Sequence, residues 1–387
     1  MRADTTYFAK LNFRQDRRLV GIRESDRMHH IYAIGKTGTG KTTMLESFIL
    51  QDIVRSRGVA YLDPHGDSVE KIMSLIPEER KRDVVYVDLT DVSQPFRYNP
   101  LRRVSEEVRP LVCAGILTVL ERLFEDSWGN RLEHVLRFCL LALLQTPSPS
   151  FADILPLLQD KGFRRKTLPY IKTPSVRSFW EKEFPKYQDY HLIPIYNKLG
   201  QFLAYPVVRR VLFENRQDIQ LRNIMDEGKI LLCNLSKGII GEDASHLIGS
   251  LLITSLGLAA FSRANIPESH RRPFHILADE FQNFCQSNLP LMLSELRKFK
   301  VSMTLANQYT AQVPLPILHA VLGNVGTLIS FRIGGKDAPF LVREMPQFDI
   351  DDFLSLPNYH IYVKLMIDGT PSSPFSATTL PITDLFI

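Results

Sequence analysis

The sequence predicts an α/β protein: a mainly parallel sheet carrying a phosphate-binding loop and interrupted by an all-helical insertion. Three observations predict it. Residues 35–42 read Gly35-Lys36-Thr37-Gly38-Thr39-Gly40-Lys41-Thr42, behind the β-branched and aromatic run Ile31-Tyr32-Ala33-Ile34 and ahead of a helical pattern. Strand, glycine-rich loop and helix in that order are the setting a phosphate-binding loop needs. Short apolar runs then alternate with helical stretches, the pattern by which parallel strands are connected. The alternation breaks off near residue 101 and resumes near 223, and between those points apolar residues recur at helical spacing.

Residues 1–28 are polar and basic and read as an N-terminal arm, or short strands, leading into the first core strand at 31–34. A helix near 41–55 follows the loop. The next strand, 58–63, ends in the turn signal Pro64-His65-Gly66, and a third covers 83–89. In the insertion, Leu132, Val135, Leu136, Cys139, Leu140 and Leu143 mark a helix with one apolar face. The sheet resumes with strands at 229–235, 274–280 and 302–306, separated by helices at 244–263 and 289–299, and closes with strands at 327–332 and 360–365. The expected organisation is an arm at 1–28, an α/β core at 29–100 and 223–387, and the helical insertion at 101–222.

Composition excludes several classes. With 387 residues, 44% of them hydrophobic and 23% charged, the chain is long and apolar enough for a sizeable core and is not a disordered polymer. A net charge of +5 is small for this length, so a polyanionic partner has to be argued from local patches. Cys113, Cys139, Cys233 and Cys285 are scattered without a CxxC pair, which fits reduced thiols in apolar cores and neither a disulfide frame nor a zinc site. The N-terminus lacks the charged start and apolar stretch of a secretory signal. The most apolar segment, 247–261, is interrupted by Gly249, Ser250, Thr254, Ser255 and Gly257 and is expected to be a buried helix, short of the ~20 apolar residues that span a bilayer. The expectation is a cytoplasmic chain with no intrinsic membrane span, reaching a membrane only through partners.

The chemistry begins at the loop. Its glycines let backbone N–H groups wrap a polyphosphate, and the following helix offers its positive end. Residues Gly35, Lys36, Thr37, Gly38, Thr39, Gly40, Lys41, Thr42 and Thr43 are the candidate nucleotide contacts, with Lys41 reaching the β- and γ-phosphates and Thr42 on Mg²⁺. The apolar strand Phe274-His275-Ile276-Leu277-Ala278 ends in Asp279-Glu280. Asp279 is expected to hold Mg²⁺ and Glu280 to polarise the water that attacks the γ-phosphate, which turns a nucleotide binder into a hydrolase. Gln308 follows a strand expected beside both, where an amide can sense the γ-phosphate. Arg297, and as a second candidate Arg332, is a possible arginine finger acting on a neighbouring subunit. Asp63, His65 and Asp67 lie together but are better explained by a Pro-Gly turn than by a metal site. Within the insertion, Arg164, Arg165 and Lys166 head a basic stretch interleaved with Tyr170, Trp180, Tyr187 and Tyr196, the composition of a DNA-tracking surface or of an ordinary helical core with a solvated face.

Taken together, these residues resemble the conjugative coupling-protein and secretion-ATPase branch of the HerA/FtsK superfamily. The matching stretches are Asp26-Arg27-Met28-His29-His30-Ile31 with the loop, Leu62-Asp63-Pro64-His65-Gly66-Asp67, Tyr98-Asn99-Pro100-Leu101, Asn234-Leu235-Ser236-Lys237-Gly238, Ala278-Asp279-Glu280-Phe281, Arg297-Lys298 through Asn307-Gln308, and 331–338. The resemblance implies a RecA-like core, a homo-hexameric ring with ATP and Mg²⁺ at subunit interfaces, and hydrolysis that moves DNA or a protein–DNA complex through the ring or into a type IV secretion channel. It also implies relaxase or channel components as partners and, for this chain, which departs from the family in having no membrane anchor before its loop, peripheral residence at the inner membrane. Two alternatives stand beside the DNA motor: a secretion-channel ATPase powering pilus assembly or protein export, and a nucleotide-gated docking module for a relaxase or effector. The pairing of Lys41 with Glu280 weighs against the docking module, which needs neither.

Overall fold

The computed structural model describes residues 2–13, 16–91, 93, 96–102, 104–214, 217–285 and 287–385. The chain divides into two compact units, the first comprising Met1–Asp88, Arg222–Ser236 and Ala260–Ile387, the second Leu89–Leu221 and Lys237–Ala259.

The first unit is built on an 11-stranded sheet. Its strands in chain order are β1 (Thr5–Leu11), β2 (Leu19–Arg23), β3 (Ile31–Ile34), β4 (Gly58–Asp63), β5 (Val84–Asp88), β6 (Ile230–Asn234), β7 (Phe274–Ala278), β8 (Val301–Asn307), β9 (Thr327–Ser330), β10 (His360–Lys364) and β11 (Phe375–Thr379). Their spatial order is β2-β1-β11-β10-β9-β3-β8-β7-β4-β6-β5. From β9 to β5 every pairing is parallel, and from β9 outward through β10, β11, β1 and β2 every pairing is antiparallel. The central strands β3, β4, β6, β7 and β8 are buried along their whole length, as continuous apolar runs in a parallel sheet must be. The polar, basic segment before residue 28 supplies β1 and β2, the last two strands at one edge of the sheet, whose half-buried residues give a weaker apolar signal.

The helix Lys41–Val54 that follows the loop covers one face of the sheet, with Met44, Leu45, Phe48 and Ile49 buried against Ile31, Ala33, Leu277 and Ile329 in one core cluster. Phe48 meets Phe8 edge-on at 5.5 Å. On this helix the fully buried carboxylate of Asp52 accepts two hydrogen bonds from Arg27, at 2.7 and 2.8 Å, and a longer one from Arg57 at 3.5 Å. Desolvation on its own would protonate Asp52, but the two guanidiniums hold its carboxyl below the usual range.

The second unit is helical, with Arg109–Leu123, Asn130–Leu143, Asp189–Ala204 and most of Glu242–Phe261 as its long helices. A two-residue parallel pair, Phe96–Arg97 with Gln217–Asp218, joins the chain where it enters and leaves the insertion. There the Tyr98-Asn99 motif serves the fold. Tyr98 donates its hydroxyl to the carbonyl of Leu251 at 2.6 Å, and the Asn99 amide bridges Pro149, Leu101 and Phe151. Phe138 and Phe179 stack at 4.5 Å in the interior, with Trp180 edge-on to Phe179. The helix expected at 244–263 as part of the core alternation falls mainly in this unit. Extended by a 3₁₀ turn to Asn265, it is long and apolar enough by composition to cross a membrane, its most apolar 18 residues having a mean hydropathy of 1.6, but 72% of that stretch is buried in the protein. All four cysteines are buried and none is in a disulfide, and burial pushes the Cys113 thiol up to about 12.

Candidate functional site

Strand register assembles the site. In β8, Asn307 pairs with Ile34 of β3 on one side while Leu305 pairs with Ala278 of β7 on the other, so the loop, Gln308 and Asp279-Glu280 all leave the same edge of the sheet. Sequence spacing suggested this adjacency, and β8 does stand between the other two.

The loop itself needs its glycines. Gly40 has φ 115° at the helix start, in the left-handed region, and a Cβ on Gly35 would collide with Phe331. The Lys41 ammonium lies under the loop and donates to the carbonyls of Gly35 at 2.6 Å and Lys36 at 3.2 Å. Burial lowers its pKa, against the opposing pull of Asp279 and Glu280. Thr39 braces the turn by donating its hydroxyl to the Lys36 carbonyl at 2.7 Å, whereas the side chains of Lys36, Thr37 and Thr42 are exposed and Thr43 is half-buried.

Thr42 donates its hydroxyl to Asp279 Oδ2 at 2.7 Å. Burial pushes the Asp279 carboxyl up from 3.8 to about 6, with Glu280 and Asp63 adding to the rise and Thr42 and Lys41 opposing it. A hydroxyl and an electrostatically undercompensated carboxylate at this separation form a hard-oxygen pair suited to Mg²⁺. Glu280 adopts φ 46°, rare for a residue with a side chain, and its backbone N–H donates to Asp279 Oδ1 at 3.0 Å. Its carboxylate is held from both sides: Gln308 donates to Oε1 at 3.0 Å and Gln282 to Oε2 at 2.7 Å. Behind them, Asn307 accepts from the Tyr32 hydroxyl and donates to the Tyr309 carbonyl, both at 2.8 Å, which sets where Gln308 starts.

Other candidates fall elsewhere. Asp63 caps the helix Asp67–Leu75, accepting from the backbone N–H groups of His65, Ser68 and Val69, and the His65 side chain is exposed. Arg297 is exposed in the turn entering β8 at its amino end, away from the edge carrying the loop, and contacts the His29 ring at 3.4 Å. Arg332 instead braces its own chain: its carbonyl accepts from Lys36 N–H at 2.8 Å, and its guanidinium donates to Leu356 O at 3.1 Å and Asn358 Oδ1 at 2.7 Å. In the second unit, Arg164 donates to the carbonyls of Leu157 and Leu158 and lies 5.0 Å from the Phe184 ring centre, while Arg165 and Lys166 are exposed. Arg164 and Arg165 help line a cleft of about 800 Å³. Of the interleaved aromatics, Trp180 is buried and Tyr187 and Tyr196 are half-buried, so these belong largely to the helical interior.

Sequence reasoning passed over Gln282, which was in reach as a polar residue two positions past an acidic pair.

No protein-family model matches the chain, and no curated protein matches it. Among solved structures, it is similar to the unbound bacterial conjugative coupling protein TrwBdeltaN70, with a TM-score of 0.66 and 15% identity over 94% of this chain and 87% of that one. The plasmid coupling protein TrwB in complex with ADP and Mg²⁺ gives a TM-score of 0.66 and 14% identity, covering 96% of this chain and 89% of that one. VirB4 of Thermoanaerobacter pseudethanolicus gives 0.63 and 14%, covering 98% and 97%. At these identities the likeness is one of architecture, and the architecture is that of the RecA-like P-loop NTPases, in the form shared by TrwB and VirB4.

Proposed function

We propose that the chain is a Mg²⁺-dependent ATPase whose hydrolysis drives DNA, or a protein–DNA complex, through a homo-hexameric ring of the coupling-protein type. The observation that carries the ATPase is the doubly held carboxylate of Glu280 beside the Thr42–Asp279 pair. Loop amides from Gly35 to Thr43 and the Lys41 ammonium would bind the phosphates. Thr42 and Asp279 would hold Mg²⁺, which when bound neutralises charge on the β- and γ-phosphate oxygens. Glu280 accepts a proton from the attacking water, and Gln308 keeps that carboxylate aimed while reporting on the γ-phosphate. Arg297, exposed and remote from its own loop, is the better placed of the two arginines to complete a neighbour's site, since Arg332 is engaged within its own chain.

The cargo rests on Arg165, Lys166 and the basic cleft beside them, and on the architectural likeness to a conjugative coupling protein. The internal bonds of Arg164 favour a second reading, a secretion-channel ATPase that moves protein or pilus subunits without touching DNA. Hydrolysis measured with and without single- and double-stranded DNA separates them. Several-fold stimulation by DNA that is lost on raising salt supports the DNA motor. Robust hydrolysis indifferent to DNA supports the secretion ATPase.

A further inference from the structure

We propose that Tyr359 is the platform on which the base of the bound nucleotide lies, making it the residue that separates a nucleoside triphosphate from bare polyphosphate. The proposal rests on the nucleotide reading above and adds the nucleoside half of the site.

Tyr359 enters β10 with φ 65°, a left-handed conformation that is unusual for a bulky aromatic residue. It is held there from both sides. Its backbone N–H donates to the carbonyl of Thr39 in the phosphate loop at 2.8 Å, and its own carbonyl accepts from Thr379 N–H at 2.8 Å. Its ring lies against the loop, since a Cβ placed on Gly40 would come within 2.8 Å of Tyr359 Cδ1. The preceding Asn358 is bonded by Arg332, whose carbonyl accepts from Lys36 N–H, so the loop and the Tyr359 segment are braced as one piece. Despite these anchors the residue is 49% exposed.

Direction then decides what an exposed ring can meet. Thr42, Asp279, Glu280 and Gln308 gather on the β8 and β7 flank of the loop strand, so the terminal phosphates face that flank. The base is at the opposite end of a nucleotide and is carried to the other flank, where β9 and β10 stand and Tyr359 sits. An aromatic face fixed on a rigid backbone stacks on a base with little ordering cost, and stacking of this kind is tolerant of base identity.

The test measures binding of ATP and of inorganic tripolyphosphate, each with Mg²⁺, to the full chain and to Tyr359→Asn and Tyr359→Phe. Asparagine suits the left-handed backbone and keeps the N–H bonded to Thr39, so the loop is retained while the ring is removed. Tyr359→Asn is expected to weaken ATP about tenfold and tripolyphosphate less than about twofold, and Tyr359→Phe to bind both as the wild type does. Equal weakening of both ligands would overturn the platform by showing that the ring only shapes the loop, and so would unchanged ATP affinity. Wild-type protein that binds tripolyphosphate as tightly as ATP would overturn the platform but leave the phosphate loop standing. Wild-type protein that binds neither would overturn the nucleotide reading and the platform with it.

Discussion

Asp279 joins a charge that the site needs to a burial that the fold imposes. Its carboxyl titrates at about 6 instead of 3.8, chiefly because it is desolvated. A raised acid favours the folded state fully below its unfolded pKa and loses that contribution as pH rises through the folded one. Asp279→Asn is therefore expected to leave the nucleotide-free protein more stable than wild type above pH 6, by on the order of 1–3 kcal/mol, with the difference vanishing towards pH 4. Paired thermal melts across that range check it, and a difference independent of pH would contradict it. In the proposed mechanism Gln308 works at one remove, through its hydrogen bond to Glu280 Oε1. Gln308→Ala should lower kcat about 10- to 100-fold while KM changes little, because the lost interaction orients the carboxylate more than it binds ATP.

Elements position these residues, and the P-loop helix carries a buried ion pair, Asp52 with Arg27, besides its apolar face. Asp52→Ala strands the Arg27 guanidinium in the core, while Arg57 keeps its ion pair with Glu24, and should cost about 3–5 kcal/mol in urea denaturation. Replacing Arg27 and Asp52 together by apolar residues should recover part of that loss. The central strands were legible in the sequence because a strand buried on both faces reads as an unbroken apolar run, as Ile230–Asn234 and Phe274–Ala278 do. Beyond β10 the signal weakens, and β1 and β2 read only as an arm or short strands. Phe375–Thr379 mixes serine and threonine with half-buried positions, and it pairs with Thr5–Leu11 from the other end of the chain. Lys41, Thr42 and the acidic pair were legible because their chemistry is local to a motif. The role proposed for Tyr359 was hidden because it depends on a strand order that no local pattern specifies, and the bonds of Arg164 to Leu157 and Leu158 cannot be read from its charge.

In the whole molecule, the proposed ring puts the site at a subunit interface, and hydrolysis would then depend on assembly. Turnover per chain should rise with protein concentration, and Arg297→Ala should abolish that rise while leaving ATP binding intact. Arg165→Glu with Lys166→Glu should remove stimulation by DNA without changing basal turnover. Both follow only if the chain hydrolyses ATP, and that claim concentrates on Glu280. Phosphate release and retained nucleotide, measured together at saturating ATP and Mg²⁺ for wild type and Glu280→Gln, test it most directly. Glu280→Gln is expected to keep ATP bound but to release phosphate on the order of 10²- to 10⁴-fold more slowly. Phosphate release at the wild-type rate from Glu280→Gln would contradict it.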